Sequence, residues 1–217
     1  MNKPVFDQWK GKPLQEILLT CRDVVEESDY SAARRWKESG GGIVGHFQVY
    51  FPEEIAHAAG LLPVKICGAS VEATQADSRF GSYLCSILKT SLELAMSDKL
   101  DLDLFVTHPI CDAARNLAPI WGRNKSYPCQ ILYLPQNANS KGSVNYLKQE
   151  YGRLGRVIET VTGRKIGEDD LRNSIAVFNE NRALLRDLYD IKRETPWLVS
   201  AEDAYCLMSI GGMIPRE

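Results

Sequence analysis

No apolar run in the 217 residues reaches membrane-spanning length, and Met1-Asn2-Lys3-Pro4 is not followed by the apolar stretch of a secretion signal. No basic stripe or RNA-binding signature appears and the formal charge is only −2, so nucleic acid is not an expected partner. Histidine is scarce, with three residues, and the six cysteines contain no CxxC pair. Their wide spacing argues against a zinc ribbon or finger. No Gly-x-Ser-x-Gly elbow is present. The glycines of Gly40-Gly41-Gly42-Ile43-Val44-Gly45 are followed by a strand pattern rather than by Gly-Lys-Ser/Thr, so they read as a turn and not as a phosphate loop. Repeats and low-complexity tracts are missing as well. These absences leave a cytoplasmic protein off the membrane, with mostly reduced cysteines and enough chain to bury a core in one or two domains.

What is present is an alternation of short apolar runs and helical stripes. Residues 13–38 read as one or two helices, with Leu14, Ile17, Leu18 and Val25 on one face. Strand patterns follow at residues 43–50, 61–67, 102–106 and 129–134. Between them lie a helix opened by Pro52, Glu53 and Glu54 and stopped at Gly60, a helix capped by Ser82 with the stripe Leu84, Leu88, Leu92 and Ala95, and a helix over residues 112–121. Such βαβ spacing predicts an α/β fold, a doubly wound, mostly parallel four-stranded sheet flanked by helices. From Ser143 onward only helical patterns remain, over residues 144–161, 169–193 and 201–210. The expected division is an N-terminal helical segment (1–40), a Rossmann- or flavodoxin-like α/β domain (41–140) and a C-terminal helical segment (141–217) ending on the linker-like Gly211-Gly212-Met213-Ile214-Pro215-Arg216-Glu217.

In a doubly wound sheet, ligands collect at the carboxyl ends of the strands. Cys111, in Thr107-His108-Pro109-Ile110-Cys111-Asp112, falls where the third strand gives way to a helix. A thiol at a helix N-terminus suits a nucleophile or a soft-metal ligand, although a small buried residue is the alternative. Cys85 shares a helical stripe with Leu88 and Leu92, so packing alone predicts it in the core, with its helix placing it within range of Cys111. Two thiolates are too few for a cubane iron–sulfur cluster, which normally takes four cysteines. Glu54 and His57, at i and i+3, face one way and are candidates for an acid/base or substrate-orienting pair at the sheet mouth. His46 lies within a strand and His108 precedes a proline, and neither forms a metal spacing with the other.

Several of these runs together resemble a known family. Residues 49–64, Val-Tyr-Phe-Pro-Glu-Glu-Ile-Ala-His-Ala-Ala-Gly-Leu-Leu-Pro-Val, resemble the opening motif of the 2-hydroxyacyl-CoA dehydratase and benzoyl-CoA reductase family. Ser82-Tyr83-Leu84-Cys85, Ile110-Cys111-Asp112 with Arg115-Asn116, Leu134-Pro135-Gln136-Asn137 and Phe178-Asn179-Glu180-Asn181-Arg182 continue the match in order. The likeness is greatest to the smaller, substrate-binding subunit of the ATP-dependent reductase branch. By this resemblance, Cys85 and Cys111 take two of three cysteine positions on a [4Fe–4S] cluster, and the third belongs to a second α/β domain beyond residue 217. Glu54 becomes a pocket residue that orients or protonates substrate, with His57 as its companion and Ser82 in the substrate site. The implied partners are an aryl- or acyl-CoA thioester, a homologous cluster-binding subunit and an iron–sulfur activator that carries the ATP site and supplies electrons. Within the family a 2-hydroxyacyl-CoA dehydratase subunit is the rival. A non-catalytic assembly module without its own cluster is the reading from outside enzymology.

Overall fold

In the computed structural model, residues 9, 11–27, 29–47, 50–81 and 83–217 are described. The chain opens with α1 (Leu14–Glu26) and α2 (Ser31–Glu38), then runs β1 (Gly42–Phe47), α3 (Glu53–Ala58), β2 (Leu61–Ile66), α4 (Thr74–Asp77), α5 (Ser86–Met96), β3 (Leu104–Thr107), α6 (Asp112–Asn124) and β4 (Cys129–Ile131). Three helices finish it: α7 (Ser143–Thr162), α8 (Glu168–Glu194) and α9 (Ala201–Ile210). The strands form one sheet in the order β2-β1-β3-β4, every neighbouring pair parallel. The expected α/β class and sheet are therefore present.

Alternation along each strand divides the core between the two sheet faces. Ile43, Phe47, Leu62, Val64, Ile66 and Phe105 pack against Leu88 and Leu92 of α5 and Leu117 and Trp121 of α6. Phe105 and Trp121 stack at 3.8 Å between centroids, and the indole N–H donates to the Tyr127 hydroxyl at 2.8 Å. On the opposite face Val44, Leu61, Leu104 and Val106 meet Ala56 of α3 and Leu154 and Ile158 of α7. A separate cluster joins Cys21 and Ala32 to Cys206, Ile210 and Ile214. The first and last segments thus share a small core, locked at its rim by the Arg22–Asp203 ion pair. Residue Lys65 on the sheet edge donates its backbone N–H to the Gly212 carbonyl at 2.7 Å, tying the C-terminal segment to β2.

Three local expectations shift. The helix expected to begin at Ser82 begins at Ser86 instead, with Cys85 in the cap position; Ser82 itself lies outside the described residues. Leu84 still packs on the α5–α6 core, so it extends the apolar stripe without being helical. Pro52 precedes α3 as its cap residue rather than sitting in its first turn. Finally, the polar stretch after β2 holds the short α4, anchored from a distance: buried Glu93 of α5 accepts the Ala76 N–H at 2.8 Å.

Candidate functional site

The chain runs outward from β1 to β2, then crosses back to β3 on the other side of β1. That reversal makes the crevice between β1 and β3, at their carboxyl ends, the topological switch point. The residues that follow these strands are the ones the fold delivers there. Tyr50, after β1, meets His108, after β3, edge to face at 5.7 Å. Together with Ile110, Arg115, Tyr133 and Pro135 they line an open cavity of about 610 Å³.

Cys111 directly follows Ile110, one of the residues that line this cavity. It is the extended cap residue of α6, and its Sγ accepts the Ala114 N–H at 3.4 Å, so a thiol takes the place of the usual cap oxygen. Cys85 caps α5 in the same way by position, with extended-type backbone angles, although its side chain makes no cap hydrogen bond. Both helices lie on one face of the sheet and both thiols are exposed. The core position that packing predicted for Cys85 is therefore not the one it takes: its side chain stands outside the helical stripe because the helix starts one residue later. Of the other cysteines, Cys67 is also exposed, Cys129 is half-buried, and Cys21 and Cys206 are buried. Burial pushes the thiols of Cys21, Cys67 and Cys206 up, and that of Cys129 to about 12. No three His, Cys, Asp or Glu side chains among the described residues group closely enough to hold a metal ion.

Glu54 and His57 do not reach the carboxyl-edge cavity. The Glu54 carboxylate pairs with the Arg182 guanidinium of α8. The Ser174 hydroxyl of α8 donates to the Glu54 backbone oxygen at 2.9 Å, which leaves Ser174 Oγ to accept Nδ1–H of His57, also at 2.9 Å. The His57 ring packs edge to face on Phe178, and its Nε2 lies 3.3 Å from Glu217. The expected pair at the sheet mouth is instead a set of contacts holding α3 to α8. The spacing argument placed both side chains on one face correctly; the covering helix, distant in sequence, decides what that face meets.

The neighbouring Glu53 is the more buried carboxylate. Arg216 pairs with it at 2.5 Å, and His46 Nε2 stands 3.4 Å from its other oxygen. His46 is itself buried, stacks on Phe51 at 4.7 Å and makes no hydrogen bond through either ring nitrogen among the described residues. Burial raises the Glu53 carboxyl, but His46 and Arg216 outweigh it and the group ends below its ordinary value. Glu53 and Arg216 also wall a second cleft, of about 660 Å³, between the carboxyl end of β2, Ser86 of α5 and α9.

Sequence reasoning missed His108, Tyr50 and Tyr133 as a group. The signal that finds them is topological: the switch-point rule singles out whatever follows β1 and β3, and His108 is the first residue after β3.

A family model described as 2-hydroxyglutaryl-CoA dehydratase, D-component, matches residues 48–217. A benzoyl-CoA reductase subunit of Thauera aromatica is 37% identical over 210 residues, covering 93% of this chain and 54% of that protein. The lactoyl-CoA dehydratase beta subunit of Anaerotignum propionicum is 30% identical over 206 residues, covering 94% and 54%. The (R)-2-hydroxyglutaryl-CoA dehydratase beta subunit of Acidaminococcus fermentans is 26% identical over 181 residues, covering 82% and 48%. The chain spans about half the length of these curated relatives. With that model matching most of the chain, the chain belongs to the 2-hydroxyglutaryl-CoA dehydratase D-component family.

Proposed function

We propose that the chain is part of a subunit of an ATP-dependent aryl-CoA reductase of the benzoyl-CoA reductase type, acting on an aryl- or acyl-CoA thioester in the cytoplasm. The observation that carries this reading is the placement of Cys85 and Cys111, two exposed thiols capping two helices on one face of the sheet at its carboxyl edge. The identity to a benzoyl-CoA reductase subunit supports the choice within the family. Helix N-termini favour anionic groups, so thiolates bound to a metal cluster suit both positions.

The fit to a [4Fe–4S] cluster is partial. Cys85 and Cys111 have the chemistry of two thiolate ligands, but no group of three potential ligands forms among the described residues. A complete cluster site in this reading draws its third cysteine from a second α/β domain. When bound, the group supplies low-potential electron transfer, with iron–sulfur potentials reaching about −700 mV. The electrons come from a separate ATP-hydrolysing iron–sulfur activator, and the enzyme is completed by a homologous partner that binds its own cluster.

The relatives named as dehydratases favour a second reading, a 2-hydroxyacyl-CoA dehydratase subunit. Dehydration returns its electron each turnover, whereas ring reduction consumes electrons in proportion to product. Measuring reductant consumed per product with benzoyl-CoA and with a 2-hydroxyacyl-CoA separates the two. Stoichiometric consumption with benzoyl-CoA supports the reductase, and catalytic consumption with the hydroxyacyl thioester overturns it. A colourless, iron-free complex that still assembles points to a non-catalytic module instead.

A further inference from the structure

On the proposed reading of the carboxyl edge as a CoA-thioester site, and resting on it, we infer that His108 and Arg115 hold the pantetheine amide nearest the thioester sulfur. His108 Nε2 accepts the amide N–H, and the Arg115 guanidinium donates to the amide carbonyl. His108 is the first residue beyond β3, at the switch-point crevice, and it lines the cavity of about 610 Å³ together with Arg115 of α6. Its Nδ1 lies 2.9 Å from the backbone oxygen of Leu132. A carbonyl oxygen only accepts, so Nδ1 carries the hydrogen. The neutral ring is thereby set in one tautomer, with Nε2 as a lone-pair acceptor. Among the described residues, no side-chain hydrogen bond or ion pair engages Nε2 of His108 or the Arg115 guanidinium.

The imidazole is held from a second side. Tyr50 packs on it edge to face, with centroids 5.7 Å apart, and has φ +73, a conformation that bulky side chains rarely adopt. Tyr50 is exposed, so burial of its own ring does not account for that backbone. Strain of this kind gathers at binding and active sites.

An acceptor and a donor-only cation on the same cavity specify the group they take. Nε2 requires a hydrogen-bond donor, which excludes a thioester oxygen as its partner. Arg115 is always charged and repels a cationic donor such as an ammonium. A neutral secondary amide offers what both need, one N–H and one acceptor oxygen. Pro109, Ile110 and Pro135 give the cavity an apolar lining that suits the methylene chain carrying such an amide. In a CoA thioester an ethylene bridge joins that amide to the sulfur. Ile110 directly precedes Cys111, so a thioester at the capping thiols brings the amide to this neighbouring cavity.

The test compares the thioester that the wild-type complex binds, benzoyl-CoA or a 2-hydroxyacyl-CoA, with an analogue whose amide N–H is replaced by an ester oxygen while the carbonyl stays. Calorimetric titration of the assembled complex containing this chain, without reductant, gives both affinities. Wild type is expected to prefer the amide about tenfold, and His108→Phe and His108→Ala to bind the two ligands equally. The readout is a ratio, so a packing defect that weakens both ligands alike does not imitate the result, and the Phe variant keeps a ring against Tyr50. Arg115→Met is expected to weaken both ligands by about tenfold and to keep the amide preference, because both retain the carbonyl. A wild-type ratio near unity, a preference that survives both His108 substitutions, or unchanged affinities in Arg115→Met overturns the assignment. ADP that binds wild type and loses affinity in His108→Phe overturns it too, by placing the nucleotide end in the cavity. Failure of the wild-type complex to bind any CoA thioester overturns the thioester reading itself, and the inference with it.

Discussion

Cys111 Sγ accepts the backbone N–H of Ala114 at 3.4 Å, so a sulfur atom closes the first turn of α6. A serine at this position reproduces the cap with a better acceptor, while alanine leaves the N–H without it. Cys111→Ser is expected to keep the chain within about 0.5 kcal/mol of wild type, and Cys111→Ala to cost roughly 0.5–1 kcal/mol. Urea unfolding midpoints of the two variants check this. Equal midpoints would show that the cap contributes nothing to stability.

Exposure sorts the thiols. Cys85 and Cys111 stand open at the carboxyl edge, whereas Cys21 and Cys206 are buried in the cluster shared by α1 and α9. Brief alkylation of the native protein with iodoacetamide at about pH 8, read by peptide mass spectrometry, is expected to modify the first two and spare the second two. Burial also raises Cys129 to about 12, so it stays unmodified under the same conditions. Rapid labelling of Cys206 would contradict the packing of α9 on α1.

The Glu53–Arg216 pair sets an acid limb. Glu53 titrates below its ordinary value in the folded chain, so the unfolded state takes up its proton first as pH falls. Its contribution is fully present above the unfolded carboxyl value of about 4.3 and is lost as pH drops through the lower folded value. Arg216→Met removes the guanidinium from a largely buried carboxylate and is expected to cost about 2–4 kcal/mol at neutral pH. The gap between variant and wild type should narrow as pH is lowered through about 4. Chemical denaturation at about pH 7, 5 and 3.5 measures it, and a gap constant with pH would exclude the pair as its source.

Glu54 makes a different case, because its partner Arg182 is about half exposed. Glu54→Gln is expected to cost no more than about 1 kcal/mol and to leave thioester affinity unchanged. A large loss of affinity with stability intact would return Glu54 to the substrate site that the family resemblance implies for it.

Much of the fold is legible in the sequence because β1, β2 and β3 set alternate residues on two buried faces and α5 and α6 carry a 3.6-residue stripe. Ser200 shows the local code working: its hydroxyl accepts the Asp203 N–H at 2.9 Å, as a serine ahead of an apolar helical stripe is expected to do. What escapes is non-local. Four-residue α4 is fixed by Glu93, which lies on α5, and no pattern within residues 72–79 announces it. Periodicity also runs the Cys85 helix too far back, since Leu84 joins the core from outside the helix. Among the site residues, adjacent Glu53 and Glu54 look alike in sequence. Arg216 and Arg182, from two distant segments, give them different surroundings.

The central claim is that Cys85 and Cys111 are cluster ligands. Iron and acid-labile sulfide, measured on the anaerobically purified complex containing the full-length subunit, test it most directly. Cys85→Ala and Cys111→Ala are each expected to strip this subunit of its iron and sulfide while the complex still assembles. Iron and sulfide contents unchanged from wild type in both variants would contradict it.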